Sequence, residues 1–451
     1  MRKHLLCVLR GMLFIGVSVQ IVFGIIWCVA NLGQLQHFGD TRIYVDISNN
    51  FICDDYTGIL YPMLIRVFRG IGDFFKVPWY VFLYILQLSG AFAAVFLLVR
   101  SVKIPVFWKL WLCMGVVTIP AAMQCHLAVL PNSLACSLYL VMIALGLRLL
   151  KGAENGHLHI VAGMGGLWLA ASMLMPEYGL FGGVLLLLFC IRKIVSVKKE
   201  GNFKANLYTL LMVAAFGGMV VSMQTLTQKP EELGRPENSV ALRMVSRFVW
   251  PNLQDYHSAW PNEVRAVISW SDAGIVSQRA DGIQTVFAPM MEQALGEKEA
   301  EKVYWKLVGT AAHIRTRDIV ESIVWDGACH IFSPYLLTKQ LEGVGYQSYS
   351  GRNYEIMKAH TPGITKHYIA YEGWWFVTGI VVAALISIIT INDKRKSLLA
   401  GKGLLIVSAL VMVIYYTMQG AGIMDYKQTI YVTVLWTLWM CSHAMPDKAE
   451  M

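Results

Sequence analysis

Ten long apolar segments, separated by polar stretches, constrain this chain more than any other feature of its sequence. A helix of about 20 mostly apolar residues can cross the hydrocarbon core of a bilayer. The segments lie near residues 11–32, 78–99, 107–125, 130–148, 157–175, 178–195, 206–226, 374–391, 403–419 and 428–444. Charged residues make up only 15% of the chain, compared with about 25% in soluble domains. The sequence therefore predicts an all-α polytopic membrane protein with about ten transmembrane helices.

The basic residues are distributed unevenly between the two sides of this predicted fold. With the N-terminus placed inside, the inner segments hold 18 basic and five acidic residues, a net charge of +13. The outer segments then carry −4, and the two sides together give the +9 of the whole chain. Because inner loops of membrane proteins are enriched in Lys and Arg, we expect both termini in the cytoplasm of a plasma-membrane protein. This topology accounts for the net positive charge of the chain, so that charge does not indicate a nucleic-acid partner.

Two segments on the outer side are much longer than ordinary connections. The first, residues 33–77, follows the first span, and the second is about as long as a small domain. Helical spacing near residues 239–249 and 297–308 predicts that the second is a mostly helical extracytoplasmic insertion. Its basic residues, Arg315 among them, could bind phosphate or acidic sugars, but acids balance them, so most of them are predicted to form a solvated face. The chain thus divides into an N-terminal transmembrane module, the insertion and a C-terminal transmembrane module, at residues 1–226, 227–373 and 374–451.

Four aspartates in the first outer loop are the strongest functional signal. Asp40, Asp46, Asp54 and Asp55 follow the first span directly. Carboxylates beside a bilayer are costly unless they are solvated, paired or liganded. They are candidates for a general base or for ligands of a divalent metal such as Mg²⁺ or Mn²⁺. Solvated aspartates that cap helices would give the same pattern, so both interpretations stay open.

An amphipathic segment follows these acids. Apolar residues recur at helical spacing from Ile59 to Phe68, including Met63 and Val67, while Arg66 and Arg69 lie on the other side. This pattern predicts a short helix that lies on the outer membrane surface.

Three further polar positions interrupt the apolar segments on the outer side. Glu177 follows Pro176 between two spans, where it either faces a cavity shared with Asp40 or meets water in a turn. Asn132 begins a span and either contacts a substrate hydroxyl or caps the helix. Lys427 either snorkels at the membrane interface or binds a lipid phosphate.

The order of these features resembles the GT-C class of membrane glycosyltransferases, especially dolichyl-phosphate-mannose protein mannosyltransferases and bacterial lipid A aminoarabinose transferases. The motifs are Gly39-Asp40-Thr41 with Tyr44, Tyr61-Pro62, Pro131-Asn132-Ser133, Leu145-Gly146-Leu147-Arg148, Pro176-Glu177 and Asp425-Tyr426-Lys427. The resemblance covers most of residues 1–200 and the last spans, and it is weak in the insertion.

This resemblance implies a sugar donor on a polyprenyl phosphate and an outer acceptor, which is a cell-envelope glycan, lipid or protein. It implies that Asp40 is the general base. It further implies that one or more of Asp54, Asp55 and Glu177 orient substrate or hold a divalent metal. Tyr44, Tyr61 and Asn132 would bind substrate as well. Lys427 or Arg66 would then stabilise the leaving lipid phosphate. Some members of the class need no metal, so a metal requirement stays open.

Other functions are compatible with the sequence. A polysaccharide polymerase or ligase shares the helical class and lipid-linked substrates, but it has its key cations in large outer loops. A secondary transporter has ionisable residues and broken helices near the membrane midplane, often with inverted repeats. The predicted spans carry almost no ionisable residues at mid-depth, and the sequence contains no evident repeat. A catalytically inactive protein with the same fold is a further alternative.

Overall fold

The computed structural model describes residues 2–35, 41–50, 58–100, 104–150, 157–197, 203–227, 240–250, 252–278, 282–331, 362–390, 402–419 and 430–445. The structure is 88% helical and has no strand within these ranges. The first ten helices are α1 Arg2–Asn31, α2 Thr41–Asn50, α3 Leu60–Phe75, α4 Trp79–Arg100, α5 Val106–Val117, α6 Pro120–His126, α7 Asn132–Leu150, α8 His157–Leu174, α9 Glu177–Val197 and α10 Phe203–Thr227. The others are α11 Val240–Phe248, α12 Asn262–Val267, α13 Trp270–Gln278, α14 Ala288–Leu295, α15 Glu297–Ile314, α16 Thr316–Ile331, α17 Pro362–Ile389, α18 Lys402–Gln419 and α19 Ile430–Ala444.

Several of these helices are suited to a membrane. Three are long and apolar enough to cross one, namely α1 over Lys3–Asn31, α4 and α7, and the bent α5–α6 pair is a fourth if it forms one span. Shorter apolar stretches lie in α8, α9, α10, α17 and α18. Each of the ten predicted segments overlaps a helix or helix pair. The helical class is therefore confirmed and membrane association is supported, while the number of ten spans stays a prediction.

Helix α7 lies at the centre of the first compact unit, which comprises residues 1–228, 332–411 and 426–451. It contacts α4, α8, α9 and α19, and most of its side chains are buried. Its apolar residues therefore face other helices on nearly all sides, as in a helix within a bundle core. The start of α7, at Asn132, is consequently enclosed by protein.

The helix pair α5–α6 is a broken span with a bend of 77°. Pro120 begins α6 and has no backbone N–H, so the hydrogen bond that a continuous helix would make at this residue is missing. Gln20 on α1 donates from Nε2 to the Gly115 carbonyl oxygen at 2.6 Å and so satisfies a carbonyl beside the break. The sequence predicts one continuous span over residues 107–125, and the structure corrects this prediction.

The predicted amphipathic helix is present as α3. Tyr61, Ile65 and Gly72 are its buried residues, whereas Met63 and Val67 are exposed. The protein itself therefore leaves Met63 and Val67 uncovered, which is compatible with the predicted place of this helix at the membrane, and that place stays a prediction. Spacing alone identifies an apolar stripe but does not say whether protein or lipid covers it.

The second compact unit comprises residues 229–331 and 412–425. Trp260, Phe287 and Tyr304 are fully buried in its core, and the Trp260 indole donates to the Leu253 carbonyl oxygen at 2.7 Å. Helices α11 and α15 match the two helices predicted from spacing, so the helical insertion is confirmed in its described part. The later part of the predicted insertion, residues 332–361, lies outside the described residues.

Arg315 is a structural residue of this unit. Its side chain is only 14% exposed, and Nη1 donates to the Phe248 carbonyl oxygen at 3.2 Å. The guanidinium lies 5.5 Å from the centre of the Tyr256 ring, and Nε lies 3.4 Å from Asp318 Oδ2. The predicted solvated face is therefore wrong for Arg315, because a flat cation can satisfy a helix-end carbonyl and cover an aromatic ring at once.

Candidate functional site

The residue after Asp40 is held beside the start of α7. Asp40 itself lies outside the described residues, and Thr41 begins α2. Thr41 is 1% exposed, and its Oγ1 donates to the Val129 carbonyl oxygen at 3.4 Å. Val129 lies in the turn that precedes Asn132. The chain that carries Asp40 therefore enters α2 next to the first residue of α7.

Tyr44 and Tyr61 join α2 to α3. Both side chains are buried, and their rings meet edge to face with centroids 5.3 Å apart. This geometry is a favourable one for two aromatic rings. The two tyrosines predicted to belong to one site therefore lie in contact. Because both are buried, their role in this conformation is to pack α2 against α3.

Gln87, which the sequence interpretation missed, links three elements of the site. It is fully buried in α4, and its Oε1 accepts from the Tyr61 hydroxyl at 3.0 Å. Its Nε2 donates to the carbonyl oxygens of His126 at 2.7 Å and Ala128 at 2.9 Å. Gln87 therefore fixes α3 against the turn between α6 and α7. A polar residue inside an apolar run is the signal that could have revealed it.

The other end of the acid-bearing loop is held at a second place. Asp54 and Asp55 lie in residues 51–57, outside the described part of the chain, and the next residue is Gly58. Gly58 is buried against the end of α8, where an added Cβ would overlap the Met173 carbonyl oxygen. Only a residue without a side chain allows this approach. The loop therefore returns to the bundle beside the α8–α9 corner.

That corner contains Glu177. Helix α8 ends at Leu174 and α9 begins at Glu177, so the predicted Pro-Glu corner is confirmed as a helix junction. The Trp168 indole donates to the Gly179 carbonyl oxygen at 2.8 Å and holds the two helices together. The Glu177 side chain is partly exposed, and its Oε2 atom is buried. A carboxylate at a helix N-terminus is stabilised by the positive end of the helix dipole.

Asn132 occupies the first position of α7. It is 3% exposed, and the preceding turn places its neighbour Ser133 against His126, with Oγ and Nδ1 2.7 Å apart. His126, Ser133 and Ser137 line one side of a small, mostly apolar cavity of about 10 Å³. A space of this size holds at most about one water molecule. His126 and Ser133 were not among the residues predicted for the site.

A series of tyrosines connects the α8–α9 corner to the start of α19. Tyr139 on α7 has ring contacts with Tyr178, at 5.7 Å between centroids, and with Tyr431, at 5.1 Å. The Tyr431 hydroxyl is also 2.7 Å from Ser408 Oγ. Lys427 lies outside the described residues and precedes Tyr431 by four positions. The helix that follows Lys427 is therefore in contact with the same bundle end as Tyr178.

The remaining predicted groups are Arg66 and the metal ligands. Arg66 is exposed on α3. Within the described ranges, no three His, Cys, Asp or Glu side chains are arranged to hold a metal ion. Of the acids proposed as ligands, Asp46 is exposed on α2 and Glu177 begins α9, whereas Asp40, Asp54 and Asp55 lie outside the described residues. Carboxylate oxygens are suitable ligands for Mg²⁺ or Mn²⁺, so a metal at this site stays part of the proposal below.

Comparisons of the chain with protein-family models, with curated proteins and with solved structures find no match. The similarity to GT-C glycosyltransferases therefore rests on the order of the motifs. The contacts above add that Tyr44, Tyr61, Asn132 and Glu177 belong to elements that meet at one end of the first compact unit.

Proposed function

We propose that the protein is a GT-C-like membrane glycosyltransferase that moves a sugar from a polyprenyl-phosphate donor to an acceptor on the extracytoplasmic face. The observation that carries the proposal is the burial of two residues close to the acids, one directly after Asp40 and one shortly after Asp55. Thr41, joined directly to Asp40, is held at Val129, and Gly58, three residues after Asp55, is held at Met173. A loop that only carried solvated acids would not need both ends buried in the bundle.

In the proposed reaction, Asp40 takes the proton of the acceptor hydroxyl as its oxygen attacks the anomeric carbon of the donor sugar. The bond between that carbon and the phosphate oxygen breaks, and the lipid phosphate leaves with the electron pair. Lys427 or Arg66 neutralises the charge that develops on the phosphate. A divalent metal held by Asp54, Asp55 or Glu177 would supply further positive charge beside the phosphate.

The chemical class of the donor is testable in a strain that lacks the protein. If transfer from a lipid carrier is its activity, a polyprenyl-phosphate-linked sugar accumulates in the deletion strain and disappears when the wild-type chain is restored. Lipid extraction and mass spectrometry measure this species and identify its sugar. Equal amounts of every lipid-linked sugar with and without the protein would contradict the proposed function.

A secondary transporter is the second candidate, and the broken span α5–α6 favours it. Transporters bind substrates at such breaks near the membrane midplane. His126 at the end of α6 and Ser133 at the start of α7 are both buried and supply polar groups next to this helix pair. An assay in liposomes that contain the purified protein and a lipid-linked sugar distinguishes the two candidate functions. A transferase cleaves the bond between sugar and phosphate when an acceptor is present, whereas a transporter moves its solute and leaves that bond intact.

A further inference from the structure

Helix α3 contacts α4 at two points that are far apart along both helices. Near its end, Gly72 packs against Trp79, and the Arg69 guanidinium lies 5.4 Å from the centre of the Trp79 ring. At its start, the Tyr61 hydroxyl bonds to Gln87. These contacts span about 16 Å along α3 and about 12 Å along α4, at 1.5 Å per residue. The two helices therefore run antiparallel, side by side, over this stretch.

Helix α4 needs its whole length to cross a bilayer. Its 22 residues extend for about 33 Å, against a hydrocarbon core of about 30 Å. Trp79 and Tyr80, residues typical of the membrane interface, lie at its start, and Arg100 lies at its end. The part of α4 between Trp79 and Gln87 therefore lies within one leaflet, and α3 lies beside it at the same depth.

The outward face of α3 is apolar. Met63, Val67 and Phe74 lie on one side of the helix and are 44%, 56% and 79% exposed, opposite the buried residues Tyr61 and Ile65. The basic residues of α3 lie on a separate side of the helix, where Arg69 Nη1 donates a hydrogen bond to Asn49 Oδ1 on α2. Arg66, next on that side, is long enough to carry its charge toward the headgroups. The surface formed by Met63, Val67 and Phe74 is the outer stripe of α3.

We propose that α3 is inserted into the membrane beside α4, and that acyl chains of the bilayer cover its outer stripe. Met63 is then the deepest residue of the stripe and Phe74 the shallowest. This arrangement differs from a helix that lies flat on the surface, whose stripe would have one depth throughout. Lipid is the chosen occupant because α4, a helix long enough to span the membrane, lies beside α3 and also exposes apolar side chains such as Ile85, which is 50% exposed. The proposal does not depend on the glycosyltransferase assignment.

Spin-label depth measurements on the full-length protein in phosphatidylcholine–phosphatidylglycerol vesicles test this proposal. Met63, Val67 and Phe74 are replaced one at a time by p-acetylphenylalanine, which takes a ketone-specific nitroxide and leaves the native cysteines unlabelled. Collisions with oxygen, which concentrates in the bilayer, are compared with collisions with a water-soluble nickel chelate. Labels at Ile85 and at exposed Trp270 of the second unit provide the lipid and water references.

The inserted arrangement predicts an oxygen-to-nickel ratio that rises stepwise from position 74 to 67 to 63 and approaches that of position 85. Equal ratios at the three positions would show a surface helix and overturn the proposal. Ratios as low as that of position 270 would mean a water-exposed stripe, and low access to both reagents would mean a protein partner or second copy. Each variant is first checked for the wild-type thermal midpoint, so that the depths refer to folded protein.

Discussion

At the scale of single residues, Gln87 makes polar contacts with several elements around the candidate site. It is buried within an apolar helix, and its two polar atoms bond to Tyr61, His126 and Ala128. Such a side chain is costly to bury unless every polar atom has a partner. Its hydrogen bonds therefore stabilise a particular arrangement of α3, α4 and the turn before α7.

Replacing Gln87 by Leu keeps a similar volume and removes these bonds. The Tyr61 hydroxyl and the two carbonyl oxygens then lose a partner in a buried place, which costs about 1–3 kcal/mol for each group left unsatisfied. We expect Gln87→Leu to lower the thermal midpoint in detergent clearly. Ser89→Ala is the matched control, because Ser89 is exposed on the same helix and bonds only within it, to Leu86. Equal midpoints for the two variants would contradict the role given to Gln87.

The sequence identifies some of these residues better than others. Asn132 and Glu177 could be predicted because they stand where apolar segments begin, and both are the first residues of helices. The contact of Tyr44 with Tyr61 could not be predicted, because it depends on how α2 packs against α3. Gln87 stands out in the sequence as a polar residue within an apolar run. Its partners could not be predicted, because two of them are backbone carbonyls, which every residue has.

At the scale of elements, the contact of Gly58 with α8 sets where α3 begins. Gly58→Ala places a Cβ onto the Met173 carbonyl oxygen, so α3 or the α8–α9 corner must shift. We expect a lower thermal midpoint and, under the proposed function, a larger loss of sugar transfer. Gly70→Ala is the control, since a Cβ at Gly70 on α3 meets open space and alanine favours the helix. The prediction fails if both variants behave alike.

In the second compact unit, Arg315 links the end of α11 to α16. Arg315→Leu leaves the Phe248 carbonyl oxygen without this donor and removes the cation from the Tyr256 ring. We expect faster hydrogen exchange in peptides from α11, measured by mass spectrometry on the full-length protein. A rate unchanged from wild type would show that Arg315 does not hold α11.

Glu263→Gln is the control for this measurement. It removes an exposed ion pair with Lys306, and such pairs contribute little. Lys306 lowers the pKa of Glu263, so the pair contributes at neutral pH and its contribution is lost as the pH falls through the lowered pKa. The control should therefore leave exchange in α11 unchanged at neutral pH.

The elements themselves were largely predictable, because hydropathy and spacing report the apolar face of each helix. The break at Pro120 and helix α2 were not predicted. The break follows from one missing N–H together with a bond from Gln20 on another helix. Helix α2 contains Asp46, Asn49 and Asn50, which disfavour helix interiors, and its buried residues Thr41 and Tyr44 are held by distant partners. Tertiary contacts therefore decide both features.

At the scale of the whole molecule, the elements that bear predicted site residues meet at one end of the helical unit. Helix α2 contacts the turn that precedes α7, Gly58 contacts the α8–α9 corner, and Tyr431 at the start of α19 contacts Tyr139. The order of these places along the chain resembles that in GT-C enzymes, and their contacts in space are independent of that order. Their meeting supports the proposed function, in which the acids near α2 carry out the chemistry.

The most direct test of that function is the effect of Asp40→Asn on sugar transfer from a polyprenyl-phosphate donor, measured with purified protein in vesicles. Loss of a general base slows a reaction by about 10²- to 10⁴-fold, so transfer should fall by at least about 100-fold. Asp46→Asn, an exposed aspartate on the neighbouring helix α2, is the matched control and should keep near-wild-type transfer. Both variants should retain the wild-type thermal midpoint. Full transfer by a folded Asp40→Asn protein would contradict the assignment of Asp40 as the base.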